Sequence, residues 1–164
     1  MLLPFRRYAE FDGRSRRKEY WMFVLLIMLI YLVFGVLMGM LGAGAMVGMT
    51  AGSAGGVAAF GGGALIVGGL FAIFALAIFV PSLAVAVRRL HDTDRSGWWI
   101  PAPLAGYPVT LIGTASNSTG LALIGSLVSL VIGLVLLIWY CADGTPGPNR
   151  YGPDPKLRGE PAVY

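Results

Sequence analysis

The stretch Arg88–Pro101, RRLHDTDRSGWWIP, packs three arginines, two aspartates and the chain's only histidine into its first eight residues. His91-Asp92 has the form of a hydrolase metal-binding pair, but that chemistry needs further histidines as ligands and the chain has none. A Ser-His-Asp triad would need a serine brought beside His91, and nothing in the sequence identifies one. Asp92-Thr93-Asp94 has the D-x-D spacing that can hold Mg²⁺ together with substrate phosphates. Three arginines this close compete for the same carboxylates, so an Arg–Asp network is the favoured reading over a metal. Ser15-Arg16-Arg17-Lys18 has S-x-x-K spacing but lacks the SDN and KTG partners of that motif. Ser15 is expected instead to cap the helix that follows. One histidine and one cysteine are too few for a zinc site. The lone Cys141 allows no internal disulfide. No metal, catalytic residue or cofactor is expected.

These groups must be positioned by membrane helices. The chain has 164 residues, 57% hydrophobic and only 12% charged, against about 25% charged in a typical soluble domain. Tyr20–Leu41, Ala64–Val87 and Leu121–Cys141 are uncharged apolar runs long enough to cross a bilayer. The first is longer than a signal-peptide core, which predicts a retained span. Trp98–Gly113 is a fourth candidate, with prolines at 101, 103 and 108. At 1.5 Å per residue it reaches about 24 Å, short of a hydrocarbon core near 30 Å. A short, Pro-kinked third span inside the bundle is expected, with a re-entrant loop as the alternative.

Charge sets the topology. All twelve Lys and Arg residues precede the first span, follow the second or follow the last, and 42–63 and 114–120 carry no charge. The positive-inside rule then places both termini and the Arg88–Trp99 loop in the cytoplasm, which four crossings satisfy. The expectation is an all-α membrane protein, one polytopic domain over 1–164. Its spans are about 20–41, 64–87, 98–113 and 121–141, with 42–63 a Gly/Ala-rich extracytoplasmic linker (the alternative there is a short membrane-edge helix, since Gly44, Gly48 and Gly52 recur every four residues) and 142–164 a cytoplasmic tail. The Asn117-Ser118-Thr119 sequon falls on the outer side. Tyr20, Trp21, Trp98, Trp99, Trp139 and Tyr140 fall at cytoplasmic span ends, the place of an aromatic belt. The net charge of +4 is explained by topology and does not point to nucleic acid.

Small residues recur every four positions: Gly35 and Gly39 in the first span, and Gly125, Ser129 and Gly133 in the fourth. Each set shares a helix face and is expected to pack within one bundle, with a subunit interface as the alternative.

The segments GRSRRKEYW, RRLHDTDRSGWW and GTPGPNRYGPDP together resemble the bacterial inner-membrane family known as Domain of Unknown Function 805. The resemblance implies a multi-pass protein of the bacterial inner (plasma) membrane, and it implies no activity. It directs attention to Gly13, Arg14, Arg17, Glu19, Trp21, Arg89, Asp92, Arg95, Trp98, Asn149, Tyr151, Gly152 and Pro155.

Arginines supply bidentate donors to phosphate or carboxylate. The expected role is therefore a non-catalytic module. Its cytoplasmic polar cap would bind an anionic lipid headgroup, a phosphate-bearing ligand or a partner protein through Arg14, Arg17, Glu19, Arg89, Asp92, Arg95, Trp98, Asn149 and Tyr151. Membrane lipids are the expected partners, with a homo-oligomer or a partner membrane protein beside them. One alternative is a transporter or channel for a small neutral solute; against it, no charge lies within a proposed span, and such charges normally mark ion or proton paths. Another is an enzyme acting on a lipid-linked phosphate, with Asp92 or His91 as acid–base. The network expected is Arg89, Asp92 and Arg95 with Arg14, Arg17 and Glu19, closed by the Asn149–Pro155 turn. Arg88 is expected to act as topological charge alone.

Overall fold

The computed structural model describes residues 3–50 and 54–156. It is all helical, with no β-strand among the described residues and one isolated bridge, Asn149–Gly152. The helices are α1 (Leu3–Arg6), α2 (Arg17–Thr50), α3 (Ala54–Asp92), α4 (Tyr107–Ala115) and α5 (Thr119–Cys141), with short 3₁₀ turns at Gly97–Trp99 and Ala102–Gly106. Three of them, α2, α3 and α5, are long and apolar enough to cross a membrane.

Residues 42–63, expected as a linker, are instead helical up to Thr50 and again from Ala54. Glycine is a poor helix former, but its penalty of about 1 kcal/mol applies per residue, and Ala and Met are interleaved here. A helix already nucleated by more than twenty apolar residues extends at little further cost. Trp98–Gly113 also differs from one kinked helix. It forms the two 3₁₀ turns and then α4, which has Pro108 in its first turn. Pro101 and Pro103 lack the N–H groups a continuous helix would need there.

The chain forms two compact units. The first comprises Met1–Tyr8 and Trp21–Ser82. In it α2 and α3 run antiparallel. Tyr31 and Phe34 meet Phe71 at 5.3 and 5.2 Å between ring centroids, and Leu41 lies against Gly63. Buried Pro81 cannot donate to the carbonyl of Ala77 one turn earlier. The Tyr8 hydroxyl donates to that oxygen instead, at 2.5 Å.

The second unit comprises Ala9–Tyr20 and Leu83–Tyr164. Here residues 99–113 run antiparallel to α5 along its length. The Trp99 ring meets Trp139 edge-on at 5.3 Å, Gly106 faces Gly125 and Ser129, and Gly113 faces Ala122. A Cβ built at Gly106, Gly113 or Gly125 would overlap the facing backbone, so glycine permits this approach. The α4–α5 turn closes with Asn117 in the left-handed region at φ 54°. The N–H groups of Asn117 and Ser118 then reach back to the carbonyls of Thr114 and Gly113.

Of the two small-residue faces, Gly125 and Ser129 lie in this crossing. Gly35, Gly39 and Gly133 do not, since a Cβ there would meet open space. Among the described residues their four-residue spacing meets no packing partner.

Candidate functional site

The site is built on two helix ends. A helix leaves its last four carbonyls without intrahelical partners and carries partial negative charge there. Within the second unit, α3 ends at Asp92 and α5 at Cys141. At the first end Asp94 takes the left-handed conformation, φ 57°. It donates its N–H to the His91 carbonyl, while Arg95 N–H reaches Leu90. The remaining carbonyls draw in other segments. Ser15 N–H donates to Arg88 O at 3.0 Å, Thr145 N–H to Asp92 O at 2.8 Å, and the Asn149 amide to His91 O at 2.9 Å.

Guanidinium groups complete the arrangement. Arg89 donates from Nε to the Tyr140 carbonyl, from Nη2 to that of Ala142, and from Nη1 to Asp92 Oδ2 at 2.7 Å. It thus closes the end of α5 and pairs with the end of its own helix. Arg17 adds a bond to the Cys141 carbonyl at 3.1 Å. Arg14 donates to Asp92 Oδ1 at 3.0 Å, to Thr145 O at 2.6 Å and to Gly147 O at 2.7 Å, with Asp154 at 4.0 Å. Arg14, Arg88, Arg89, Asp92 and Asp154 are all buried.

Glycine geometry shapes the surrounding loop. Gly144 packs so closely on the Asp92 carboxylate that a Cβ would overlap it. Gly147 turns at φ 74°, which lets its carbonyl face Arg14 and its N–H face Asp154. Asn149 holds the 149–152 turn by accepting from Tyr151 N–H and donating to Thr145 Oγ1.

The expected network forms in part. Arg14, Asp92 and Arg89 meet, and Asn149 closes over them. Arg95 does not join. It donates to Thr93 O and lies 4.3 Å over the Trp139 ring. Glu19 pairs with Arg88 at 3.7 Å rather than with the triad. Tyr151 stacks flat on His91 at 3.7 Å, and His91 Nδ1 faces the Gly13 carbonyl at 3.2 Å. Trp98 is 86% exposed and makes no part of the cluster, and Trp21 is half-buried on α2. Gly152 sits in the turn at φ 134°, and the Pro155 carbonyl accepts from Arg16. Ser15 does not cap α2. Its Oγ is buried without a hydrogen-bond partner among the described residues, and its backbone N–H serves α3. The D-x-D pattern divides: Asp92 is a buried counterion, and exposed Asp94 pairs with Arg150 at 3.1 Å.

Sequence reasoning missed Arg88, treated as topological charge. It is fully buried, with Glu10 at 3.9 Å and Glu19 at 3.7 Å. It also missed Thr145, Gly147 and Asp154, though all three lie in the quoted GTPGPNRYGPDP segment. The tail expected at 142–164 is, through residue 156, folded against the helix ends.

Chemically, Asp92 has each oxygen facing a guanidinium, at 3.0 and 2.7 Å. The arrangement joins helix ends and organises a loop. What it defines is an all-helical membrane protein whose buried arginines hold two helix C-termini together. The chain belongs to the family described as "Protein of unknown function (DUF805)", matched over residues 8–153. It is 38% identical to inner membrane protein YhaH of Escherichia coli (strain K12) over 152 residues, 93% of this chain and 92% of that protein. It is 36% identical to inner membrane protein YhaI of the same strain over 152 residues, 93% of this chain and 91% of that protein. No solved structure matches the chain.

Proposed function

We propose that the chain is a non-catalytic inner-membrane protein with four crossings and both termini in the cytoplasm. Its folded cap holds a rim of cations and tryptophan against anionic lipid headgroups. The observation that carries this reading is the engagement of Arg14 and Arg89 with internal acceptors. With those arginines committed inside, headgroup contact falls to outward groups: exposed Arg16, Arg17, Lys18 and Arg150, with Trp98 beside them in kind. Arg14, Arg89, Asp92, Asn149 and Tyr151 then act as scaffold for that rim.

Two observations support four crossings. Residues 99–113 follow α5 from Trp139 to Ala122, which supports a crossing beside α5. The ends of α3 and α5 also share Arg89 and Asp92, which supports a common side for both.

The test is native mass spectrometry of the protein extracted from bacterial membranes. Each basic residue near an anionic surface contributes about 1 kcal/mol. Lys18→Gln should therefore lower retention of anionic phospholipid by up to about fivefold, with thermal stability preserved. Equal retention of anionic and zwitterionic lipid by both forms refutes the headgroup role. Retention of a soluble phosphate compound or a protein instead would redirect it. In a Cys141→Ser background, a cysteine at Ser118 should react with an impermeant thiol reagent from outside and one at Ser96 should not. Protection of the first overturns the four-crossing topology.

A further inference from the structure

The first unit carries a feature outside the cap. Tyr31, Phe34, Gly35 and Met38 of α2 and Gly68 and Phe71 of α3 line an apolar groove of about 290 Å³. A Cβ at Gly35, Gly39 or Gly68 would meet nothing within 4 Å, so no described residue covers these glycines. Tyr31, Gly35, Met38 and Gly42 follow one another at spacings of four, three and four, which puts them on one face of α2.

Tyr31 gives this face a polar requirement. The apolar run of α2 begins at Tyr20, and at 1.5 Å per residue Tyr31 lies about 16 Å further in, near the middle of a hydrocarbon core of about 30 Å. Its ring is held by Phe71 and Phe74, at 5.3 and 6.4 Å between centroids. The residue is exposed, and its hydroxyl has no hydrogen-bond partner among the described residues. Water satisfies a phenol at a wetted surface, but lipid tails at this depth do not.

Whatever covers this face must fit closely over the glycines and offer a hydrogen-bonding group at the depth of residue 31. An acyl chain meets the first requirement and fails the second. A second copy of this chain meets both. All copies insert in the same orientation, so a two-fold axis along the membrane normal sets each residue at the depth of its own counterpart. The two Tyr31 hydroxyls then meet, and each is both donor and acceptor, so they bond to each other. Gly35 and Gly39 let the backbones approach, and the unbranched Met38 side chain adapts to the groove across the axis. The charges of α2 are confined to Arg17, Lys18 and Glu19, so the face carries no like-charge repulsion. We infer that this face of α2 is the interface of a parallel two-fold dimer of the chain, with paired Tyr31 hydroxyls at its centre and Gly35 and Gly39 at the crossing. The dimer is independent of the headgroup role, since it requires only that every copy inserts the same way.

The experiment uses the full chain in liposomes, with a fluorophore on the exposed Cys141. Photobleaching steps per particle are counted as the protein is diluted in lipid. Two-step particles should persist at dilutions where chance co-occupancy predicts single ones. Gly35→Leu should abolish them, because the larger side chain holds the backbones apart. It should leave the thermal melt in place, because no described residue lies within 4 Å of a Cβ there. Tyr31→Phe keeps the ring and removes one oxygen. It should raise the dimer dissociation constant about three- to twentyfold, the range for a hydrogen bond between membrane helices. Val33→Leu, on the opposite side of α2, should change nothing. Gly39→Leu supplies the same readout if Gly35→Leu is poorly produced. Three results overturn the inference: single-step particles at every dilution, with or without a retained lipid or other membrane protein; a dimer that survives both glycine substitutions; or a dimer as tight after Tyr31→Phe as before.

Discussion

Asp92→Asn tests the cap at its centre. The substitution keeps the side chain's shape and removes its charge. Asp92 Oδ1 faces Arg14 and Oδ2 faces Arg89, at 3.0 and 2.7 Å. An asparagine must therefore point its NH₂ group at one guanidinium or the other, donor against donor, in either flip state. Removing one partner of a buried ion pair costs about 3–5 kcal/mol. Both arginines keep carbonyl acceptors at Thr145, Gly147, Tyr140 and Ala142, so the lower figure, about 3 kcal/mol, is expected here. For a chain of this size about 1 kcal/mol shifts the melting temperature by about 2–4 °C, which gives a drop of about 6–12 °C. The assay is thermal unfolding in detergent followed by the emission of the chain's four tryptophans, alongside the amount inserted in the membrane. Acidic residues contribute little to orientation, so insertion should match the parent. A melting temperature within about 2 °C of the parent refutes the claim that Asp92 anchors the cap, since it leaves no room for a buried pair of this strength.

Two further predictions separate buried contacts from surface ones. Gly113→Leu should destabilise the fold by more than about 2 kcal/mol, because its Cβ alone would overlap Ala122. Gly133→Leu should change monomer stability by less than about 0.5 kcal/mol, because no described residue lies within 4 Å of a Cβ there; thermal melts of the two variants side by side decide. Arg88→Lys should cost about 1–3 kcal/mol in the same melts while leaving cysteine-labelling topology unchanged, since it keeps the charge but loses the guanidinium beside Glu10 and Glu19. An unchanged melt would return Arg88 to a purely topological role.

The helices were legible because a bilayer-length apolar run has few alternatives in structure. The boundaries at 42–63 were not, because glycine content argues for a loop while the neighbouring apolar helix favours continuation, and composition alone does not weigh the two. Asp92 could be picked out because an acid is superfluous to membrane orientation. Arg88 could not, because a buried and a solvated arginine look the same at a position that topology already explains. The stripes at Gly35–Gly39 and Gly125–Gly133 carried identical signals, yet among the described residues only Gly125 and Ser129 meet another backbone. Spacing fixes which residues share a face, and the partner's register, here set by Gly106 and Gly113, decides whether that face is used.

The same register explains why arginine rather than lysine occupies position 89. Two helices that end side by side bring two sets of unbonded carbonyls and two negative dipole ends together, which is unfavourable without a cation between them. A lysine ammonium would neutralise the charge from a single point. The Arg89 guanidinium presents donors in three directions from one rigid plane. It reaches Tyr140 O, Ala142 O and Asp92 Oδ2 at once. The Asp92 carboxylate then offsets the Arg89 charge and also accepts from Arg14, and Arg14 fixes the loop through Thr145 and Gly147. Each charge in RRLHDTDR that lies in this chain of contacts is there because its neighbour would otherwise be buried alone, which ties the polar density of the stretch to helix termination.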